Sequence, residues 1–572
     1  MTISNESEEK RELFELLDFS DAKKQHILTS LISSQKLHES IDISDDVYKD
    51  TGIHSWCQTL PVLDGSKLLI KHLVKCPTNN ENVLLLKQQA YLYFKKHKEN
   101  IDFNILKQYE DDVLWIYKLN EEIKENNLIN VLFPSAFFVS YINYIEPLIE
   151  LYHMYKIYLI PINVIVYPIL SLFGPLYYLN KYLNFSISLS TYLSMLYKIF
   201  KYIFTFTGNI KTTLIKIISI SFYAFLFIYN IYQTLEYSYL LYSIKDTLYK
   251  KIHNLNIFIK EVNNLSQDAR QFIQHFLHVN KNDEHTKINI SSNFPSIYKL
   301  WKDNKLKEQI SNLLANVYVI DIITALSKQL YNKDWCLCAY NKHNNTKIWN
   351  MKNPILSSLQ TANPADLSKN IVITGPNAAG KTTYVKSILS NIILGQTFGI
   401  ANAMKADIML YDNIVSFMRI SDTLGSKSYF EAEAECCLNM MKKAQYLSDN
   451  GLRGLFLMDE PMHSTPPTEG MSTAYAVAEH IGKLKGSTVI LTTHFHKLIL
   501  LEKEYPHNFI NLSVEAHKQQ DGSFIFPYKI RRGHSHQCIA IELLLSKNFP
   551  ETVIKSAINM KNKICTELVD KS

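Results

Sequence analysis

Residues 371–383 read IVITGPNAAGKTT, a short apolar run that turns through glycine and continues as a helical pattern. Glycines at this spacing let the backbone curl so that its N–H groups point at phosphate oxygens, Lys381 can reach the β and γ phosphates, and the Thr382 hydroxyl suits Mg²⁺. A helix that begins near Lys381 adds the positive end of its dipole. The sequence therefore predicts a phosphate-binding loop, with these nucleotide-contacting residues: Gly375, Pro376, Asn377, Ala378, Ala379, Gly380, Lys381, Thr382 and Thr383.

A second apolar strand ends in two acids. Leu455–Met458 reads LFLM and is followed by Asp459 and Glu460. This is a Walker B pattern, and its distance from the phosphate-binding loop can bring both motifs to adjacent strands. We therefore expect Asp459, with Thr382, to hold the metal, and Glu460 to polarise the attacking water as general base.

A third strand is predicted over Thr488–Thr492 (TVILT), and it delivers Thr493 and His494. An imidazole at the carboxyl end of a strand beside a nucleotide can donate a hydrogen bond to the γ phosphate. His494 is therefore the second predicted catalytic residue.

These motifs and several others resemble the ATPase domain of the MutS mismatch-repair family. The matching segments are GPNAAGKTT, FMRISD (417–422), GSKSYF (425–430) followed by Glu433, LFLMDEP, Glu469-Gly470, TTHF, PYKIRRG and FPETVIKSA (549–557). The resemblance is specific over residues 317–561. Residues 63–90 resemble the start of that family's helical core domain.

The resemblance implies a dimeric ATPase that uses ATP and Mg²⁺, either a homodimer or a MutS-like heterodimer. In this family, as in related ABC-type ATPases, a serine of one subunit contacts the nucleotide held by the other, and Ser428 is the matching position. Asn377 matches the family's P-loop asparagine and Glu433 its acidic signature position. DNA is the implied partner, bound through its backbone or structure in DNA maintenance related to mismatch repair.

Three departures from the family pattern bear on that expectation. Residues 461–467 read PMHSTPP where the family usually has a Gly-Arg-Gly-Thr-Ser-Thr run, and prolines stiffen a segment expected at the dimer interface. Ala379 replaces one of a glycine pair before the lysine, which is a mild change. The core-like motif already begins near Leu63, so we expect no mismatch-reading domain ahead of it.

The composition sets wide bounds. The chain has 572 residues, of which 47% are hydrophobic, and its net charge is +6, which permits nucleic-acid contact without arguing for it. The eight cysteines form no CxxC pair, and no secretory leader is recognised. We therefore expect the ATPase domain in a reducing compartment, cytosolic or nuclear, and not a secreted protein.

The middle of the chain is unusually apolar. Ile157–Asn180 and Ile217–Leu235 contain no charged side chain, and each is long enough to cross a hydrocarbon core of about 30 Å as a helix. Residues 126–145 are a weaker third candidate, and residues 185–206 would complete a four-pass arrangement. We interpret the region as a membrane-anchoring insert. Two features argue against membrane insertion: three prolines interrupt the first span, and the lysines between the spans conflict with the positive-inside tendency. The alternative is an apolar helical domain that does not enter a membrane.

The predicted fold is thus an α/β P-loop ATPase domain of ABC/MutS type, preceded by a mostly α-helical core with an apolar, transmembrane helical insert. We predict four regions: a leader and the start of the core (1–125), the apolar insert (126–244), lever-like core helices (245–345) and the ATPase domain (346–572). A MutS-family ATPase is the first functional hypothesis. The alternative is a membrane-anchored ABC-type ATPase, a transporter or scaffold, without a DNA role; no LSGGQ-like signature precedes LFLMDE, which disfavours the transporter.

Overall fold

The computed structural model describes residues 19–35, 40–97, 102–122, 132–134, 136, 139–205, 210–263, 269, 271–277, 290–340, 345–356, 359–418, 429–519, 524–535, 537, 541, 544 and 549–569. The chain forms two compact units. The first draws on residues 1–27, 108–263 and 287–313, and the second on residues 28–107, 264–286 and 314–572.

The chain before residue 330 is mostly helical. Its helices are α1 (Asp21–Ser33), α2 (Asp45–Thr51), α3 (Ile53–Gln58), α4 (Asp64–Val74), α5 (Glu81–Lys96), α6 (Phe103–Glu122), α7 (Glu146–Met154), α8 (Ile160–Tyr182), α9 (Leu189–Phe204), α10 (Ile210–Asn263), α11 (Phe294–Lys302) and α12 (Asn304–Gln329). Short 3₁₀ helices lie at Ser140–Tyr144 and Ile273–His275, and a π-helical turn lies at Tyr155–Leu159. One short strand, β1 (Asp42–Ile43), precedes α2.

The remainder alternates strands and helices. The strands are β2 (Cys336–Tyr340), β3 (Lys347–Met351), β4 (Asn363–Asp366), β5 (Asn370–Thr374), β6 (Ile400–Ala401), β7 (Lys405–Ile408), β8 (Asn413–Phe417), β9 (Gly454–Asp459), β10 (Ser487–Thr493), β11 (Phe509–Val514), β12 (His517–Lys518), β13 (Phe524–Ile525) and β14 (Ile530–Arg532). The helices are α13 (Lys381–Phe398), α14 (Tyr429–Asp449), α15 (Pro467–Lys483), α16 (Leu500–Glu504) and α17 (Glu551–Val569), with a 3₁₀ turn at His496–Ile499.

A seven-stranded sheet organises the second unit. Its strand order is β1-β8-β9-β10-β5-β11-β14, and every neighbouring pair is parallel except β11 with β14. All five residues of β5 are buried, as expected for a parallel strand covered on both faces. Strands β10 and β11 lie on either side of β5, so the connections from neighbouring strands lead to opposite sides of the sheet at this point. Ligands bind in such sheets at this switch point, outside the carboxyl ends of the strands. A smaller five-stranded sheet has the order β4-β3-β7-β2-β6.

Helix α13, which follows β5, is held at both ends. It begins at Lys381 after Gly380 and ends at Phe398, before Gly399, whose φ of 77° lies in the left-handed region that glycine adopts without strain. At its C-terminal end, Lys87 Nζ donates to the Thr397 carbonyl at 2.8 Å. Gln88 Nε2 donates to the Gly399 carbonyl at 2.8 Å. The predicted core helix α5 therefore caps the helix that begins at the phosphate-binding loop.

The apolar middle forms long helices. Helix α10 runs without a break over 54 residues, so the second predicted span and the lever-like pattern that follows it are one helix. Pro168 and Pro175 lie inside α8. Pro161 has no N–H to donate to the carbonyl of Ile157, and the Ser238 hydroxyl of α10 donates to that carbonyl instead. A neighbouring helix thus replaces the bond that the proline removes.

These helices are exposed, whereas a third long apolar helix is not. Among the residues that the structure describes, three stretches are long and apolar enough to cross a membrane: Glu146–Tyr182, Thr213–Asn263 and Asn304–Gln329. In the most apolar part of each, 11%, 0% and 83% of the residues are buried. The third is therefore a core helix, and the first two contain the spans predicted from the sequence.

The two weaker span candidates do not form spanning helices where they are described. Within residues 126–145, the 3₁₀ helix Ser140–Tyr144 and Pro134 interrupt any continuous α-helix in the described part. Within residues 185–206, helix α9 has 16 residues, which gives a length of about 24 Å, less than the hydrocarbon core.

Candidate functional site

Three parallel strands bring the predicted motifs to one edge of the large sheet. Strand β10 lies between β9 and β5, with Thr492 opposite Asp459 and Thr493 opposite Thr374. The phosphate-binding loop directly follows β5, the acid pair lies at the end of β9, and His494 directly follows β10. The carboxyl ends of parallel strands meet at the same edge, so motifs far apart in sequence become neighbours.

The loop between β5 and α13 adopts a backbone that its glycines allow. Gly375 has a φ of 148°, and a Cβ atom there would lie 2.4 Å from the Val514 carbonyl oxygen, so no side chain fits. Gly380 has a φ of 95°. Ala378 is in the left-handed region at 65°, where alanine is strained, and such strain is concentrated at functional sites.

Lys381, Glu460 and His494 form a cluster of polar side chains beneath the loop. Lys381 Nζ donates to the Gly375 carbonyl at 2.9 Å and lies 3.7 Å from Glu460 Oε1. His494 Nε2 lies 2.6 Å from Glu460 Oε1 and 3.2 Å from Lys381 Nζ. The hydrogen bond from His494, helped by the Lys381 charge, lowers the pKa of Glu460. Burial lowers the pKa of Lys381, and the two acids oppose that effect.

Thr382 and Asp459 meet at the start of α13. The Thr382 hydroxyl donates to both carboxylate oxygens of Asp459, at 2.9 and 3.1 Å. The Thr492 hydroxyl also donates to Asp459, and it accepts the Glu460 N–H at 3.2 Å. Hydroxyl and carboxylate oxygens are the ligands that Mg²⁺ prefers, so the donor set fits this ion.

A cavity of about 560 Å³ opens above the loop. All the predicted loop residues except Gly375 line it, together with Glu460. Its other wall is partly apolar and is formed by Met351, Leu356, Val514, Tyr528 and Ile530. A cavity of this size, with a phosphate-binding end and an apolar end, fits a nucleoside triphosphate.

The segment after Glu460 is tightly constrained. Glu460 and Met462 both have left-handed φ values, 53° and 60°. The carboxylate of Glu433, only 2% exposed, accepts the Ser464 N–H at 3.2 Å and also the Ser464 hydroxyl. Gly470 approaches so closely that a Cβ atom there would lie 2.4 Å from the Met462 carbonyl oxygen. Helix α14 therefore fixes the proline-containing segment next to the predicted general base.

Ser428 lies outside the described residues, and α14 begins at the residue that follows it. Of the other predicted site residues, Pro376–Thr383 and Glu460 line the cavity, and Gly375, Asp459 and His494 contact those lining residues. The structure also adds residues that the sequence argument missed. Thr492 accepts the Glu460 N–H, and Ser464 donates to Glu433. Tyr528 packs beside the loop, and its ring would lie 3.0 Å from a Cβ atom added to Gly380. The Ser416 hydroxyl of β8 donates to Asp50 of α2 at 2.8 Å.

Of the missed residues, only Thr492 had a usable sequence signal, because its hydroxyl stands two residues before His494 on the predicted strand. Tyr528 comes from a connection between strands, and Asp50 from a helix more than 300 positions earlier in the chain than Ser416. Neither position follows from a local pattern.

Comparison with known proteins finds matches in the region of the chain that carries this site. The model of MutS domain V matches residues 371–565. The DNA mismatch repair protein MutS of Finegoldia magna is 27% identical over 285 residues, which cover 47% of this chain and 32% of the relative. That of Clostridium perfringens is 31% identical over 269 residues, covering 44% and 29%. That of Prochlorococcus marinus is 29% identical over 272 residues, covering 45% and 29%. The chain spans about a third of the length of these relatives.

Proposed function

Since this chain belongs to the MutS family through its C-terminal domain, we propose that it is an ATPase that binds ATP with Mg²⁺ in the cavity above the loop and hydrolyses it. The observation that carries the proposal is the meeting of Lys381, Asp459, Glu460 and His494 at one sheet edge, directly below a cavity that the loop lines. Each residue type matches a step of phosphoryl transfer to water.

The residues divide the chemistry between them. Lys381 and the N–H groups of the loop neutralise the phosphates, and Thr382 and Asp459 hold the metal, which supplies charge neutralisation at the phosphate oxygens when bound. Glu460, kept ionised by its lowered pKa, orients and deprotonates the attacking water. His494 holds Glu460 through its Nε2, and in this proposal its imidazole donates to the γ phosphate once the nucleotide is bound.

The active form in this proposal is a dimer, either of two identical chains or with a MutS-like partner. Ser428 of one subunit would complete the nucleotide site of the other. The support for this arrangement is the match of Ser428 to the family's serine at the position directly before α14. Nucleotide-dependent closure of the dimer would act on DNA, bound through its backbone or structure, in DNA maintenance.

The proposal includes insertion into a membrane by the helices from Glu146 to Tyr182 and from Thr213 onward. Their exposed surface is formed by large apolar and aromatic side chains, which water would not stabilise. The apolar stretch Ile217–Leu235 has 19 residues, a helix of about 28 Å, which matches a hydrocarbon core. The ATPase domain would remain in a reducing, cytosolic or nuclear compartment.

The same exposed helices favour a second candidate, a membrane-anchored ATPase of ABC type that acts as a scaffold or transporter without DNA. Two measurements on the full chain separate the candidates. Alkaline-carbonate extraction tests the membrane insertion, and an ATPase assay with and without duplex DNA tests the DNA role. DNA-stimulated turnover supports the first candidate. Turnover that ignores DNA supports the second, and absence of Mg-ATP binding rejects both.

A further inference from the structure

The charged residues of the apolar region are all lysines. Residues 151–235 contain six lysines and no aspartate or glutamate. One lysine, Lys156, precedes α8. The other five stand where α8 ends, along α9 and where α10 begins, and we call them the lysine cap: Lys181, Lys198, Lys201, Lys211 and Lys216.

Helix α9 stays at this end of the long helices. Before its first turn, Asn180 near the end of α8 exchanges two hydrogen bonds with the backbone of Ile187, both at 2.9 Å. Near its last turn, Lys216 near the start of α10 lies 5.7 Å from the ring centroid of Tyr202. Both ends of α9 are thus tied to the same end of the α8 and α10 pair. The helix therefore begins and ends beside the same end of the pair, and near its start the Tyr192 hydroxyl donates to the Leu172 carbonyl of α8 at 2.7 Å.

The faces of α9 are chemically distinct. Ser190, Ser194, Lys198 and Lys201 are spaced by four, four and three residues, which places them on one face of a helix. Most of the remaining surface is apolar or aromatic, and Tyr202 is 78% exposed. A narrow basic stripe on an apolar helix with tyrosines beside it is typical of helices that lie at the surface of a bilayer.

The opposite end of the same helices is built differently. There Lys245 of α10 pairs with Glu150 of α7 at 2.5 Å, and Lys251 pairs with Asp112 of α6 at 2.6 Å. The lysine cap has no acid in its own segment to pair with. Its ammonium groups are therefore open to anions from another molecule.

We propose that the lysine cap is a binding surface for the anionic headgroups of phospholipids, at the leaflet that the α8–α10 hairpin reaches. This inference rests on the proposed membrane insertion. A phospholipid offers a phosphate and a hydrocarbon chain together, and the cap offers ammonium groups beside exposed apolar residues such as Phe204 and Ile215. Duplex DNA would satisfy the lysines but leave those apolar side chains in water, so the surface fits a lipid better.

The test uses the full chain reconstituted in nanodiscs of equal parts phosphatidylcholine and phosphatidylglycerol. After gentle extraction in detergent, mass spectrometry measures the two lipids that remain with the protein. The test variant replaces Lys198, Lys201, Lys211 and Lys216 by glutamine, and the matched control replaces the same four by arginine. Each lysine near an anionic surface favours binding by roughly fivefold, so the parent should be enriched in phosphatidylglycerol by about fivefold or more.

The expected result is enrichment for the parent and the arginine variant and a ratio near that of the nanodisc for the glutamine variant. Equal enrichment in parent and glutamine variant, or none in the parent, overturns the proposal. So does loss of duplex DNA binding by the glutamine variant with unchanged lipid enrichment, since the lysines would then serve nucleic acid. If the parent is released by alkaline carbonate, the membrane insertion itself is wrong. Carbonate resistance without enrichment rejects only the headgroup surface.

Discussion

The central strands of the large sheet and the helices α8 and α10 are the most apolar parts of this chain, and they stand in opposite relation to solvent. Strand β5 is buried at every residue, whereas none of the most apolar stretch of α10 is buried. Helix α12 is also long and apolar, yet 83% of its most apolar stretch is buried. Apolar content therefore does not decide where a segment lies.

The difference lies in what accompanies the apolar residues. The strands are short and end in polar groups that find partners across the sheet edge, such as Asp459 with Thr382 and Glu460 with His494. Within α12, Asp321 accepts the backbone N–H groups of Val62 and Leu63, both at 2.9 Å. The apolar stretch of α10 has no carboxylate from residue 210 to Glu236. Buried apolar elements here carry specific polar contacts, whereas the most apolar stretch of α10 presents mainly large apolar and aromatic side chains at its surface.

The largest expected effect tests whether the strands serve to position their terminal polar groups. Glu460→Gln removes the general base but keeps the size of the side chain, so we expect turnover of ATP to fall roughly 100- to 10,000-fold while nucleotide affinity is retained. Measurements of kcat and of the dissociation constant for ATP with Mg²⁺ check this. Lys381→Ala is the contrasting variant, which should lose nucleotide binding. Parent-like turnover in both variants would contradict the assigned site.

The second prediction compares the two kinds of apolar helix directly. Ile228 of α10 is 65% exposed and Ile323 of α12 is fully buried. Ile228→Asp should reduce the fraction of protein that resists alkaline carbonate, because a carboxylate at the middle of a bilayer costs roughly 3 kcal/mol. It should leave thermal unfolding of the detergent-solubilised protein unchanged. Ile323→Asp should instead destabilise the fold by roughly 4 kcal/mol or more.

If Ile228→Asp unfolds the protein in detergent as Ile323→Asp does, α10 is a core helix and the comparison fails. Ile228→Leu serves as the control at the exposed position, since it keeps the apolar surface. It should match the parent in both carbonate extraction and unfolding.

Local sequence patterns predicted the arrangement of the ATPase site better than the arrangement of the apolar helices. Local patterns predicted that the loop, Asp459, Glu460 and His494 lie together, because each stands at the end of a buried strand and parallel strands bring such ends to one edge. They did not show that the second span and the following lever-like pattern form the single helix α10, because charge appears in the sequence at Glu236 without any break in the backbone. The Ser238 bond to the Ile157 carbonyl and the Lys87 cap on α13 join residues 81 and 310 positions apart, beyond the reach of local patterns.

The third prediction concerns the buried carboxylate beside the site. Glu433→Ala leaves the Ser464 N–H and hydroxyl without their acceptor, which should cost about 1 to 3 kcal/mol of stability. Because Glu460 lies four positions before Ser464, kcat should fall while ATP affinity stays near that of the parent. Ser464→Ala is the matched control, since the backbone N–H still reaches Glu433, and its kcat should fall less. Equal kcat in all three proteins would show that this contact does not position the general base.

The smallest effect concerns a charge buried in the site-bearing unit, in contrast to the exposed lysine cap. Burial lowers the pKa of Lys87 from 10.5 to about 8. Between these values the unfolded chain binds more protons than the folded one, so stability rises with pH, and the penalty for burying the ammonium is fully present below pH 8. Urea unfolding should therefore show a gain of about 1 kcal/mol from pH 8 to pH 9 in the parent relative to Lys87→Met. Because the neutral amine can still donate to the Thr397 carbonyl, the cap on α13 survives this titration. A parent and variant whose stabilities change in parallel over this range would mean that Lys87 keeps an ordinary pKa and that its burial is incomplete.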